Sequence, residues 1–282
     1  MTTRTESAVL IDTETLAGML DDSSIAVVEV DEDTTAYDGG HIPGAVSLDW
    51  KLELHDLPRR DFVDAGRLAA LLGSKGIGSD QTLVLYGGNN NWFAAYAYWL
   101  CKLRGIDNVK LLDGGRIKWM LEDRPLTTET PGRAQAEFRA TTSPRPELRA
   151  SREEVIEFAV TGGQMVDVRS PGEFSGEVTA PPHLPQEQPY VPGHVPGAVS
   201  IPWSQTANED GTFKGHDDLV ALYGGKGIDG DGTVIAYCRI GERSSHTWFV
   251  LSELLGYPSV KNYDGSWTEY GSLVGVPVEV GA

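Results

Sequence analysis

Short apolar runs alternate with helix-like segments along the whole chain. In the second half the runs QMVDV, TVIAY and VKNY are separated by stretches whose apolar residues have helical spacing. The first half gives the same series with AVVEV, TLVLY and VKLL. Because the central runs are continuously apolar, they predict buried parallel strands covered by helices. The pattern therefore predicts an α/β fold in which each half is a mainly parallel sheet flanked by helices.

The two halves are copies of one sequence pattern. GHIPGAVSLDW begins at Gly40 and GHVPGAVSIPW begins at Gly193, an offset of 193 − 40 = 153. KGIGSDQTLVLYGG begins at Lys75 and KGIDGDGTVIAYCR begins at Lys226, an offset of 226 − 75 = 151. The motifs keep their order, and the period is too long for a solenoid. The repeat predicts two homologous domains in tandem.

Composition indicates where the domains begin and end. The first domain is predicted over residues 1–130 and the second over residues 148–282. Residues 131–147 lie in a stretch rich in Pro, Thr and Arg, without an apolar period, which is typical of a linker. The second copy also contains an insertion, residues 175–192, whose prolines predict an extended surface loop.

The charge of the chain argues against several kinds of partner. Asp and Glu number 41 against 23 Lys and Arg, a formal net charge of −18, which disfavours nucleic acid and anionic membranes. No apolar stretch reaches the ~18 residues of a membrane span. The N-terminal residues lack a basic segment followed by an apolar run, so we expect a cytoplasmic protein. The acidic excess indicates either a halophilic source or an ordinary acidic protein, and a melting curve against KCl distinguishes them.

The chain has two cysteines, Cys101 and Cys238. Two are too few for a disulfide framework, and their spacing is not that of metal ligands. We therefore expect no metal and no cofactor. Cys101 lies in AYWLCKLRG among large apolar side chains, which predicts a packing role. Cys238 directly follows the strand TVIAY and opens the loop CRIGER. Because ligands of α/β sheets bind beyond the carboxyl ends of strands, Cys238 is the candidate nucleophile, and a buried structural Cys is the alternative.

The residues around Cys238 suit a reactive thiol. The N–H groups of the loop and the positive end of the next helix favour a thiolate. Arg239 and Arg243 add positive charge, which suits an anionic substrate. The first copy has no such thiol, because position 238 − 151 = 87 is Gly87. We therefore expect thiol chemistry in the second domain and a catalytically inactive first domain.

A Cys followed by an anion-binding loop and a helix also occurs in cysteine phosphatases. Their loop places an Arg six positions after the Cys, where it holds phosphate oxygens bidentately. Here Ser244 occupies the sixth position and Arg243 the fifth. The loop is one residue short for phosphate, which favours a smaller group such as the outer sulfur of thiosulfate.

Several motifs together resemble the two-domain rhodaneses, the thiosulfate sulfurtransferases. They are GHIPGA, GHVPGA, VDVRSPGEF from Val166, CRIGERS from Cys238 and YDGSW from Tyr263. The resemblance covers nearly the whole chain and implies two rhodanese-like domains with the active Cys in the second. It also implies that the thiolate takes the outer sulfur of thiosulfate, releases sulfite and forms a persulfide. The sulfur then passes to cyanide, a thiol or a protein acceptor.

The resemblance also implies roles for single residues. Cys238 matches the Cys that forms the persulfide. The loop that holds the persulfide is matched by Arg239, Ile240, Gly241, Glu242, Arg243 and Ser244. Of these, Arg239 and Arg243 are the expected contacts of the sulfite oxygens. Asp167 and Arg169 match an Asp-x-Arg at the end of a neighbouring strand, which supports the loop.

Two positions depart from some animal rhodaneses. Ile240 stands where those proteins have a Lys, and Glu173 stands where they have a substrate-binding Arg. We therefore predict that Glu173 pairs with Arg243 and that Glu173→Gln disturbs thiosulfate binding. Enzymes that use 3-mercaptopyruvate resemble Cys-Gly-Ser-Gly in the loop, so Arg239 favours thiosulfate as the donor. A mercaptopyruvate enzyme and a sulfur-carrier module with little thiosulfate turnover are the alternatives.

Overall fold

The computed structural model describes residues 8–180 and 188–281, which form two compact units. The first unit extends to Arg145 and also contains Ala207–Phe213, and the second contains Pro146–Thr206 and the chain from Lys214 onward. Each unit contains a parallel sheet flanked by helices, so the predicted fold class is confirmed. Part of the predicted insertion, residues 181–187, lies outside the described residues.

The first unit is built on a five-stranded sheet. The strands of the unit, including two outside this sheet, are β1 (Leu10–Ile11), β2 (Ile25–Glu29), β3 (Val46–Ser47), β4 (His55–Asp56), β5 (Asp61–Phe62), β6 (Thr82–Tyr86) and β7 (Val109–Leu112). Its helices are α1 (Thr13–Gly18), α2 (Ala36–Gly39), α3 (Ala65–Ser74), α4 (Trp92–Leu103) and α5 (Gly115–Leu121). The sheet has the order β1-β7-β6-β2-β3 with parallel neighbours, and β4 pairs separately with β5 in an antiparallel hairpin.

The second unit is built on a four-stranded sheet. Its strands are β8 (Gln164–Asp167), β9 (Val199–Ser200), β10 (Val234–Tyr237) and β11 (Val260–Tyr263). Its helices are α6 (Arg152–Thr161), α7 (Pro171–Ser175), α8 (His216–Gly224), α9 (Glu242–Phe249) and α10 (Ser266–Tyr270). The order is β11-β10-β8-β9, again with parallel neighbours. Helix α9 continues into a π-helical turn over Val250–Leu254.

Local sequence signals explain where two helices of the second unit begin. Ser151 caps α6 and Glu154 bonds back to the backbone of Ser151, which is the capping box expected from SREE. Ser170 and Glu173 form a second capping box at α7, where Pro171 occupies the first turn. The second capping box holds Glu173 just beyond the carboxyl end of β8.

The central strands are buried, as their continuous apolar runs predict. Every residue of β10 is buried, and so is Cys101 among the aromatic side chains of α4. Burial raises the pKa of Cys101 to about 12, so this thiol stays protonated at neutral pH. These observations agree with the packing role predicted for Cys101.

Two segments of the first unit do not follow from the apolar pattern. Residues 131–145, which cover most of the predicted linker, belong to this unit, and the Thr141 N–H donates to the Gly105 carbonyl at 3.0 Å. Ala207–Phe213 also belongs to the first unit, and the Phe213 N–H donates to the Asp113 carboxylate at 2.9 Å. A carbonyl accepts the bond of the first segment and the Asp113 carboxylate accepts that of the second, and neither bond leaves a periodic signal in the sequence.

Candidate active site

The candidate active-site loop is the four-residue segment Cys238–Gly241 between β10 and α9. It begins directly after the buried strand and ends at Gly241, which caps α9 with φ of 99°. This left-handed conformation favours glycine. A side chain has no room there either, because a Cβ at Gly241 would lie 2.8 Å from the Cα of Asp264. The turn therefore directs the loop back towards the carboxyl end of β10.

Hydrogen-bond donors surround the sulfur of Cys238. The Gly241 N–H donates to the Sγ atom at 3.1 Å, and the hydroxyl oxygens of Ser244 and Ser266 lie 3.6 and 3.9 Å from it. The Gly241 N–H is a donor of the kind that the sequence predicted for this loop. The N–H donor stabilises an anionic sulfur more strongly than a neutral thiol.

Ser266 holds the backbone of Cys238, and the sequence argument did not identify it. Its hydroxyl accepts a hydrogen bond from the Cys238 N–H at 3.0 Å and donates to the Tyr263 carbonyl at 2.7 Å. Ser266 is buried with φ of 52°, a conformation that costs a non-glycine residue about 1–2 kcal/mol. Position 266 − 151 = 115 of the first domain is Gly115, with φ of 53°. The difference between DGG in the first repeat and DGS in the second is the sequence signal from which Ser266 could have been found.

Glu173 and Arg243 form a buried bidentate ion pair. The two terminal nitrogens of Arg243 donate to the two carboxylate oxygens of Glu173, each at 2.9 Å. Burial by itself raises the pKa of Glu173, but the hydrogen bonds and charge of Arg243 outweigh burial and lower it to about 2. The Ser170 N–H and hydroxyl donate to the same carboxylate at 3.0 and 2.9 Å. The structure thus brings together the two residues that the sequence predicted to pair.

Acidic side chains balance the arginines of the loop. Arg239 is buried, which lowers its pKa, while attraction to Glu242 and Cys238 acts in the opposite direction. Arg243 is bound to Glu173. Two formal positive charges thus stand beside two formal negative charges. The positive charge that Arg239 and Arg243 add to the loop is therefore balanced locally, by Glu242 and by the Glu173 that the sequence predicted to pair with Arg243.

Asp167 and Arg169 form a buried ion pair at the end of the neighbouring strand. The Arg169 guanidinium donates to Asp167 at 3.0 and 2.6 Å and to the Gly193 carbonyl at 2.7 Å. Its central carbon lies 4.8 Å from the ring of Trp267, and the Trp267 N–H donates to the Cys238 carbonyl at 2.9 Å. These contacts connect the end of β8 to the loop through the backbone and do not reach the sulfur.

Cys238 itself is fully buried. Its exposed fraction is 0%, and Arg239 and Arg243 are exposed by only 2% and 7%. Ile240 is the one residue of the loop that is partly exposed. A donor molecule therefore reaches the sulfur only after neighbouring side chains move, which the sequence did not indicate.

Side chains fill the corresponding loop of the first domain. The Asn91 side-chain oxygen accepts a hydrogen bond from the Gly87 N–H at 3.0 Å, and the Gly88 N–H donates to the Asp31 carboxylate at 2.5 Å. A Cβ at Gly87 would lie 2.3 Å from the carbonyl oxygen of Val30. The N–H groups of Gly87 and Gly88 already have partners, and no space remains for a cysteine side chain at position 87.

Within residues 8–180 and 188–281, no group of three or more His, Cys, Asp or Glu side chains is arranged to hold a metal ion. The second thiol, Cys101, lies inside α4. None of the helices in this described part of the chain is long and apolar enough to cross a membrane.

Comparison with known proteins identifies the family. A model of the rhodanese-like domain matches residues 12–122 and again residues 151–273. A putative thiosulfate sulfurtransferase of Mycolicibacterium smegmatis is 60% identical over 276 residues, 98% of this chain and 99% of that protein. The sulfur carrier protein TtuD of Thermus thermophilus is 50% identical over 281 residues, 97% of each chain. The crystal structure of YnjE aligns with 97% of this chain and 68% of its own, with a TM-score of 0.83 at 27% identity. The chain therefore belongs to the rhodanese family of sulfurtransferases and contains two rhodanese-like domains in tandem.

Proposed function

We propose that the second domain is a thiosulfate sulfurtransferase that carries sulfur as a persulfide on Cys238. The observation that carries the proposal is a thiol at the carboxyl end of β10 with the Gly241 N–H directed at its sulfur. The name of the Mycolicibacterium relative supports thiosulfate as the donor. A cytoplasmic location is part of the proposal, because a free thiol nucleophile persists in a reducing compartment.

The proposed reaction has two displacements at sulfur. The Cys238 thiolate attacks the outer sulfur of thiosulfate, a new S–S bond forms, and the original S–S bond breaks with its electron pair leaving on sulfite. A nucleophilic acceptor, such as cyanide or a thiol, then attacks the outer persulfide sulfur, and the Cys238 thiolate leaves. The sulfur of Cys238 is therefore an anion before the first step and after the second.

The donors around the sulfur act in both steps. A hydrogen bond to a charged group contributes about 1.5–3 kcal/mol. The Gly241 N–H stabilises the thiolate as nucleophile and again as leaving group. The hydroxyl of Ser244 lies closer to the Gly241 carbonyl, at 3.1 Å, than to the sulfur, and it turns to the sulfur when the sulfur is ionised.

Two arginines provide attraction for the sulfite oxygens in this proposal. Glu173 occupies both terminal nitrogens of Arg243 and fixes the plane of its guanidinium. Each of these nitrogens keeps one further N–H. Glu173 thus acts on substrate binding through the orientation of Arg243, while Arg239 contributes attraction directly.

Turnover with two substrates tests the proposal. Thiosulfate and cyanide are mixed with the protein, and thiocyanate is measured as it forms. We expect turnover in the wild type and in Cys101→Ser, and none in Cys238→Ser. Replacement of thiosulfate by 3-mercaptopyruvate in the same assay identifies the preferred donor. Equal rates for wild type and Cys238→Ser contradict the proposal.

A sulfur carrier is the second candidate function. The relative TtuD is named as a sulfur carrier, and the complete burial of Cys238 favours slow exchange with small molecules. A carrier forms a stable persulfide and releases it to a protein acceptor. A persulfide that accumulates on Cys238 while thiocyanate formation stays negligible supports this candidate over the enzyme.

A further inference from the structure

The carbonyl of Gly241 is held by three buried side chains. The hydroxyls of Ser244 and Ser245 donate to it at 3.1 and 2.8 Å, and the Asn262 amide donates at 3.1 Å. The Asn262 amide also donates to the Ser245 hydroxyl oxygen at 2.9 Å. Helix α9 and strand β11 therefore converge on one carbonyl oxygen at the end of the candidate active-site loop.

The first domain has none of these donors. Subtraction of 151 from positions 244, 245 and 262 gives Phe93, Ala94 and Leu111. The strand registers agree with this correspondence, because Leu111 pairs with a residue of β6 as Asn262 pairs with the matching residue of β10. The polar side chains thus occur only in the domain that contains the thiol.

Asn262 is an energetically unfavourable residue for a buried strand. It is fully buried, and its side-chain oxygen has no hydrogen-bond partner among the described residues. A buried amide with an unsatisfied oxygen destabilises a fold relative to an apolar side chain of similar shape. The first domain uses Leu at this place, so the sheet does not need an amide there. The bonds of its nitrogen to Gly241 and Ser245 are the reason we see for its presence.

We propose that Asn262 and Ser245 are positioning residues, which hold the Gly241 carbonyl and thereby keep the Gly241 N–H directed at the sulfur of Cys238. This inference rests on the proposed function of Cys238 and deepens it. The N–H and the carbonyl of Gly241 are joined through a single Cα atom. Asp264 blocks the other side of that atom, since an added Cβ would lie 2.8 Å from its Cα. The carbonyl held by Asn262 and Ser245 therefore fixes the direction of the N–H.

Loss of these bonds should affect the anionic sulfur more than the bound substrate. The Gly241 N–H loses its fixed direction, and the thiolate loses a charge-assisted hydrogen bond. Both attack on the donor and departure of the thiolate then slow. Because Asn262 and Ser245 touch no substrate in this proposal, we expect kcat for sulfur transfer to fall about tenfold while KM for thiosulfate changes little.

The test uses the residues of the first domain as replacements, Asn262→Leu and Ser245→Ala. The rate of Cys238 alkylation by iodoacetamide is measured against pH by intact mass. In each variant we expect the midpoint of the rate profile to move to higher pH, with a rate near neutral pH about tenfold lower. The charged groups around the sulfur, Arg239, Arg243, Glu242 and Glu173, are the same in both variants.

Thr247→Val is the matched control. Thr247 is buried on the same helix, and its side chain lies beside Tyr223 rather than at the loop. We expect a folded protein without a change in the alkylation profile, because Val keeps the size of the side chain and position 247 lies away from the loop. Since Asn262 and Ser245 bond to each other, the double variant should be less affected than the sum of the single variants.

An alkylation profile identical to wild type in folded Ser245→Ala and Asn262→Leu overturns the inference. Ser245→Ala alone decides if Asn262→Leu does not fold, because Ser245 lies on the helix and its replacement removes one oxygen. The alkylation assay needs no sulfur donor. A wild type that forms no persulfide therefore contradicts the proposed function, while the alkylation profiles still decide the role of the two side chains.

Discussion

Glu173→Gln tests whether the buried ion pair stabilises the second domain. The replacement keeps the size of the side chain and removes its charge. Glu173 is 1% exposed, and its carboxylate accepts both terminal nitrogens of Arg243 at 2.9 Å. The variant leaves the buried Arg243 without its counter-ion, which is among the costlier changes in a protein interior.

The magnitude follows from the pKa of Glu173. Each pKa unit corresponds to about 1.4 kcal/mol. A pKa held at about 2 instead of the model-compound value of 4.5 therefore corresponds to about 3 kcal/mol of stability at neutral pH. Because the pKa of the folded state is lowered, this contribution is complete above pH 4.5 and is lost as the pH falls towards 2.

Urea unfolding at several pH values between 7 and about 3 measures this contribution. The transition of the second domain is followed for the wild type, for Glu173→Gln and for the control Glu154→Gln. Glu154 occupies the same capping-box position in α6 but is partly exposed, with a lysine partner. We expect a loss of about 3 kcal/mol at pH 7 for Glu173→Gln and below about 1 kcal/mol for the control.

The pH dependence separates the ion pair from a packing effect. If the charge of Glu173 is responsible, the difference between wild type and Glu173→Gln shrinks as the pH falls below 4.5, because the Glu173 carboxyl of the unfolded wild type takes up a proton while that of the folded protein stays ionised until the pH nears 2. A difference that stays constant down to about pH 3, or one no larger than that of Glu154→Gln at pH 7, refutes the reasoning.

Three further outcomes follow from the two loops. Gly87→Cys should lower the free energy of unfolding by about 2 kcal/mol in urea, because its Cβ would meet the Val30 carbonyl. Peptide mass should show no sulfur adduct at position 87 of this variant. Gly241→Ala should cost about 2 kcal/mol and abolish thiocyanate formation, since its left-handed φ and the nearby Asp264 exclude a side chain. Relative to the rates of a small free thiol with the same reagents, Cys238 should be slowed more towards a bulky aromatic disulfide than towards iodoacetamide, as measured by intact mass, and an equal slowing would contradict its burial.

The fold was predictable because the chain contains its pattern twice. Each apolar run in one half has a counterpart in the other, so a strand such as β10 is supported by β6. The continuous apolar runs also predicted burial, and Cys101 on α4 follows from them. The segment Ala207–Phe213 was not predictable, because the hydrogen bond from the Phe213 N–H to the Asp113 carboxylate joins residues 100 positions apart and leaves no periodic pattern in the sequence.

The loop of the candidate site and its pairing with Glu173 were predicted, and the contacts that reach the loop from α10 and β11 were not. The loop from Cys238 to Ser244 is visible in one motif, and the pairing of Glu173 with Arg243 came from a departure from the family pattern. Ser266 and Asn262 reach the loop only through α10 and β11. Their signal was present as a polar residue in one repeat opposite an apolar residue or glycine in the other, Asn against Leu and Ser against Gly.

The mass of the protein after incubation with thiosulfate tests the central claim most directly. The account predicts that wild-type protein gains the mass of one sulfur atom, that peptide mapping locates it at Cys238, and that cyanide removes it. Cys101→Ser should gain the same mass and Cys238→Ser should gain none. An adduct that persists in Cys238→Ser, or a wild type that gains no sulfur from any sulfane donor, contradicts the account.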